Sequence, residues 1–98
     1  MKNINNNYAD SLYKAVLQLK NEDECRRFFE DLCTISELRS MSQRVEVAQL
    51  LRKRKIYNEI AEETGASTAT ISRVNKCLNY GMNGYNLVLE RLEENGEL

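Results

Sequence analysis

The sequence predicts an all-α fold, and three observations carry that prediction. The 98 residues contain no proline and only four glycines, of which Gly81, Gly84 and Gly96 fall in the last fifth. The long stretches free of breakers are filled with Leu, Glu, Lys, Arg and Ala, which favour helices. Apolar residues recur at i, i+3, i+4 spacing, the signature of a helix face. With 42% hydrophobic residues, the chain can pack one small domain.

The first helix is expected from Asn7 to Leu19. Tyr8, Leu12, Ala15, Val16 and Leu19 form one stripe, and Tyr13 and Leu17 lie on another face. A helix apolar on two sides needs cover on both, which a small domain rarely gives its first helix, so a partner chain is expected. The Asn-rich "NINNN" before it reads as a frayed end. In the second helix Asn21 is the N-cap with Glu24 three later, the pattern of a capping box, and Cys25, Phe28, Phe29, Leu32 and Cys33 form its stripe. A short third helix follows Ser36, with Leu38 and Met41 inward. Ser42 then caps a fourth running to about Arg54, with Val45, Ala48 and Leu51 inward and Val47 and Leu50 flanking. The stripes are expected to form the core. The last helix, Tyr85 to Glu94, carries Tyr85, Val88, Leu89 and Leu92. Acids crowd its final turns, against the helix dipole, so its end should fray.

The net charge of −1 argues against a wholesale polyanion binder, but the charge is unevenly spread. Between Arg39 and Lys55, six cations (Arg39, Arg44, Arg52, Lys53, Arg54, Lys55) face Glu46 alone, a local +5. Such a segment suits a nucleic acid. It equally suits a solvated helix C-terminus, so "LRKRK" alone leaves both readings open. Histidine is absent, and Cys25, Cys33 and Cys77 are odd in number and widely spaced. No metal site is expected, only free thiols in a reducing compartment. Lacking the commonest general base and any sheltered carboxylate pair, the chain is not expected to be an enzyme. No apolar run approaches the ~20 residues needed to cross a bilayer, and the N-terminus lacks a signal-like apolar region, so a cytoplasmic protein with no membrane partner is expected.

The segment "IYNEIAEETGASTATISRVNKCL" reads as two short helices joined by a tight turn. Ile60 and Ala61 face inward on the first. Gly65, three past Glu62, supplies the residue tolerant of positive φ that ends it. Ser67 caps the next helix, whose inward stripe is Ile71, Val74 and Leu78. This is helix-turn-helix spacing. The outward face is then Thr68, Ala69, Ser72, Arg73 and Lys76, with Thr70 near its start. Short hydroxyls and methyls flanked by cations let a helix backbone approach the major groove of double-stranded DNA. Phosphate contacts are assigned to Arg52, Lys53, Arg54, Lys55, Lys76 and the hydroxyls.

From about Thr34 to Leu78 the chain resembles the Trp repressor superfamily, most closely its YerC/YecD-type branch. "RVEVAQLLRK", "EIAEETGASTATISRVNKCL" and "GYNLVLERL" carry the likeness. The resemblance implies a six-helix fold and an intertwined homodimer in one domain. Residues 1–41 would supply dimerisation helices, 42–80 the basic helix and the helix-turn-helix, and 81–98 the C-terminal helix. It implies a transcription regulator of repressor type, with Asn58, Ser67, Thr68, Ala69, Thr70 and Ser72 facing DNA. The family's best-known member holds tryptophan as co-repressor between two arginines, which fall here at Arg44 and Arg73, with Thr34 also lining that pocket. Val74 stands where the pocket has glycine and Cys77 where it has serine, so no tryptophan or other cofactor is expected. Two other readings stay open: a dimeric protein-interaction adaptor, and an amino-acid-sensing regulator with a reshaped pocket.

Overall fold

The computed structural model of the chain describes residues 7–98, so Asn3–Asn6 of the tract read as a frayed end lie outside the described residues. The described residues form six helices and no strand: α1 (Asp10–Val16), α2 (Glu22–Leu32), α3 (Ile35–Arg52), α4 (Tyr57–Thr64), α5 (Thr68–Tyr80) and α6 (Gly84–Glu94). None is long and apolar enough to cross a membrane. Contacts divide the chain into two compact units, 1–38 and 39–98.

In the first unit α1 is shorter than the Asn7–Leu19 helix expected. Its C-terminal end tightens into i→i−3 bonds, Gln18 N to Ala15 O and Leu19 N to Val16 O, and the chain leaves α geometry there. At the start of α2 the expected cap is present. Glu24 N donates to Asn21 Oδ1 at 2.9 Å, while Lys20 N donates to Glu24 Oε1 at 3.0 Å. Exposed i,i+4 pairs, Glu22–Arg26 at 3.0 Å and Asp23–Arg27 at 3.2 Å, run along its outer face. Each contributes a few tenths of a kcal/mol. Phe28 and Phe29 meet edge to face, with ring centroids 5.6 Å apart. The stripe expected as core is not closed: no side chain of α1 or α2 is fully buried, and Leu32 stays half exposed.

A second reciprocal cap opens α3. Thr34 N donates to Glu37 Oε1 at 2.8 Å, and Glu37 N donates to Thr34 Oγ1 at 3.1 Å. This corrects the reading of two helices, one after Ser36 and one capped by Ser42. Nothing between Met41 and Gln43 breaks a helix, so Ser42 lies exposed within α3.

Among the described residues, every buried one lies in the second unit: Val47, Ala48, Leu50, Ile60, Ala66, Ile71, Val74 and Leu89. Leu51, Tyr57, Ala61, Leu78, Tyr85 and Leu92 pack around them. The inner face of α3 therefore centres on Val47 and Ala48, not on Val45. Val45 lies about 160° round the helix from Val47 and is 40% exposed. On α6 the core stripe is Tyr85, Leu89 and Leu92, while Val88 turns outward at 53% exposure.

Two helices of this unit end alike. At α6, Gly96 N donates to Glu93 O and Glu97 N to Leu92 O, with Gly96 at φ 73°. This is a Schellman motif with glycine in its left-handed position. It closes the end that was expected to fray. At α3, Arg54 N donates to Leu51 O and Lys55 N to Leu50 O, but the left-handed residue is Arg54, at φ 63°. Its Cβ makes that conformation cost on the order of 1 kcal/mol or more.

Candidate nucleic-acid interface

The helix-turn-helix is assembled by local bonds that the sequence announces only in part. α4 ends at Gly65, whose φ of 73° and ψ of 6° are left-handed and whose N–H reaches Ala61 O at 2.9 Å. No atom lies within 4 Å of where a Cβ would stand on Gly65, so glycine is required there by backbone conformation and not by crowding. Thr64, which sequence reasoning passed over, closes the turn. Its hydroxyl donates to Ile60 O at 2.7 Å and accepts from Ala66 N at 3.1 Å. Gln43 of α3 donates to Thr64 O at 3.1 Å, tying the turn to the long helix. Ala66 is buried directly after Gly65, and its small size lets the turn seat on the core.

Ser67 caps α5 as expected. Thr70 N donates to Ser67 Oγ at 3.1 Å, and the two hydroxyls are 3.2 Å apart. Ile71 and Val74 are buried and Leu78 packs beside them. The opposite face presents Thr68, Ala69, Ser72, Arg73 and Lys76 to solvent, with Ser67 exposed at its start and Thr70 half-buried. Asn58 is exposed on α4. The surface of α4 is otherwise acidic: Glu59, Glu62 and Glu63 line a shallow hollow, and Glu59 also accepts from Ile56 N at 3.3 Å. Cations thus lie before α4 and along α5, with carboxylates on α4 between them.

The basic cluster divides. Lys53, Arg54 and Lys55 are exposed in the turn after α3. Arg52 is not among them, which corrects its grouping with the phosphate-contacting cations. Its guanidinium donates to Asn86 Oδ1 at 2.8 Å and pairs with Glu93 Oε1 at 2.9 Å, both on α6. Asn86 in turn donates to Leu78 O at 3.1 Å, one of the last carbonyls of α5 left without a helical partner. Arg52 therefore ties the end of α3 to α6 and, through Asn86, to the end of α5.

Of the ligand-pocket positions, Thr34 belongs to the first unit, where its hydroxyl is occupied as the α3 cap. Arg44 and Arg73 are exposed, Val74 is buried in the core cluster, and Cys77 is an exposed free thiol. Cys25 and Cys33 are free and half-buried. Among the described residues no group of three or more Cys, Asp or Glu is placed to hold a metal ion.

Residues 7–93 match the Trp repressor protein family. The chain belongs to that family. It is 55% identical over 85 residues to the uncharacterized protein YerC of Bacillus subtilis (strain 168), covering 87% of this chain and 82% of YerC. Two solved structures are also similar. A TrpR-like protein from Eubacterium eligens ATCC 27750 superposes with a TM-score of 0.86 at 56% identity, covering 92% of this chain and 93% of that one. A candidate Trp repressor from Staphylococcus aureus gives 0.84 at 45% identity, covering 88% and 86%. Membership of the Trp repressor family makes this an all-helical, helix-turn-helix regulator of the DNA-binding type. Family and fold point to regulation rather than catalysis.

Proposed function

We propose that the chain is a homodimeric transcriptional repressor that reads DNA with α5 and works without tryptophan. The observation that carries this reading is the exposed face of α5. Thr68, Ala69 and Ser72 are short enough to admit the helix to a major groove, and Arg73 and Lys76 stand beside them. The Ser67 cap and the Gly65 turn hold that helix start in place. In a two-fold dimer the two copies of α5 would enter successive major grooves about one helical turn apart. Lys53 and Lys55 would contact phosphates, and the carboxylates of α4 would keep the backbone off that helix.

Dimerisation is supported by the first unit. No side chain of α1 or α2 is fully buried, yet Tyr13, Leu17 and Ile35 are large, apolar and 63%, 80% and 70% exposed. A second copy would cover them. Independence from tryptophan is supported at Val74, whose branched side chain fills core volume at the position where the family's pocket has glycine. Cys77 places a weakly hydrogen-bonding thiol where that pocket has a hydroxyl.

The test is selection of bound fragments from a random duplex pool at physiological salt, with and without tryptophan. A two-fold motif enriched without tryptophan is expected. Thr68→Ala should change the preferred sequence. Lys53→Ala should weaken all duplexes alike and reduce the salt slope by about one. A motif that appears only with tryptophan would overturn the co-repressor-independent reading. No motif in either case would favour an adaptor that binds protein.

A further inference from the structure

We propose that a cleft between the last turn of α3, the flank of α5 and α6 seats a phosphate-class oxyanion, with Arg54 as its principal cation. Two observations meet here. The first is the conformation of Arg54: the chain closes α6 with glycine in the left-handed position, yet at the equivalent position of α3 it keeps an arginine. A strained residue persists where its side chain is needed. The second is the cleft itself, about 230 Å³ and open to solvent, lined by Arg52, Arg54, Asn75, Asn79 and Asn86 over Leu51 and Leu78. No carboxylate lines it. Arg52 is already held by Glu93 and Asn86, and Asn79 donates back to Asn75 O at 2.9 Å. Among the described residues Arg54 has no ion pair or hydrogen bond from its side chain, so its five N–H donors are available to an anion, and Asn75, whose amide N–H groups make no hydrogen bond, lines the same cleft.

This seat is separate from the family's ligand positions. Around α5, Asn75 lies about 20° from Thr68 and about 160° from both Arg73 and Cys77. It flanks the reading face on the side away from them. The oxyanion can be a backbone phosphate of DNA or a free small anion, and both offer the same chemistry to a guanidinium.

The probe is inorganic phosphate, titrated at fixed ionic strength against the full chain while melting temperature and amide NMR shifts are followed. Saturable stabilisation is expected, with shifts at Arg54, Asn75 and Asn79. Without phosphate, Arg54→Gly should melt roughly 2–6 °C higher than the parent, because glycine relieves the left-handed strain. It should also lose the phosphate response, and Asn75→Leu should lose most of it. A merely structural Arg54 would not separate stability from binding in this way. No saturable response in the parent chain, or an unchanged response in Arg54→Gly, would overturn the proposal. Competition then identifies the source. If phosphate displaces duplex DNA and Arg54→Gly lowers duplex affinity several-fold, the seat takes a DNA phosphate. If phosphate binds while duplex affinity stays unchanged, the seat takes a free anion. The phosphate titration needs no DNA, so it stands or fails apart from the DNA-binding reading.

Discussion

At Thr34 two short bonds set a helix start, and the one from its N–H also sets the acidity of a carboxyl group. The Thr34 N–H donates to the Glu37 carboxylate, and this bond first, with the Thr34 hydroxyl second, holds that carboxyl below the usual carboxylate range. A depressed pKa means that the folded state favours the ionised form. The contribution is present above the unfolded pKa and is lost as pH falls through the folded one. Thr34→Ala should move the Glu37 titration up toward the ordinary carboxylate value, read by carboxyl NMR. In the parent chain the first turn of α3 should loosen only at the more acidic end. The same pair shows what local sequence can reveal. "TISE" is a Ser/Thr-x-x-Glu capping box as plain as "NEDE" at Asn21, and it places the helix start at Ile35 rather than after Ser36. Thr64 carried no such sign, because its two bonds depend on how the chain turns at Gly65.

At the scale of elements, the helix-turn-helix was the most legible part. Gly65 and Ser67 act through contacts within four residues, Ile71 and Val74 face the core as their helical spacing predicts, and each takes the role expected of it. Gly65→Ala should cost about 1 kcal/mol, because the strain is conformational and the space is open. Gly65→Asn should cost less, since asparagine tolerates the left-handed region. Thermal melts of the two variants check this, and equal losses would point to crowding instead. Arg52 was misread because "LRKRK" is uniform in sequence. Only the approach of α6 separates the one arginine that meets Glu93 and Asn86 from its exposed neighbours. Arg52→Ala should therefore lower stability by about 1 kcal/mol, given its partly exposed partner. Lys53→Ala should leave stability within about 0.5 kcal/mol. If the two variants melted alike, the Arg52 tie would carry no weight.

At the scale of the molecule, the buried residues among those described are confined to 39–98, while the first unit exposes apolar surface. Tyr13 and Leu17 lie one helical turn apart and so adjoin on one face, and contiguous exposed apolar patches mark interaction surfaces. Sedimentation at micromolar concentration is expected to give twice the chain mass of 11.4 kDa. Tyr13→Glu should give the monomer mass while circular dichroism keeps the helical signal, because that side chain already faces solvent in the single chain. A wild-type monomer would contradict the homodimer.

Residue order alone was enough for the helical class, the Asn21 capping box, the glycine turn and the small-residue face of α5. All of these are governed by backbone conformation and by partners three or four residues away. The tertiary structure decided which face of each helix is buried, which arginine is a tie and which is free, and where α3 runs on unbroken. Val45 and Val47 are equally apolar, and so are Val88 and Leu89. Their fates differ because burial depends on which neighbours arrive from distant parts of the chain. Periodicity gives the width of an apolar stripe but not the direction from which its cover comes.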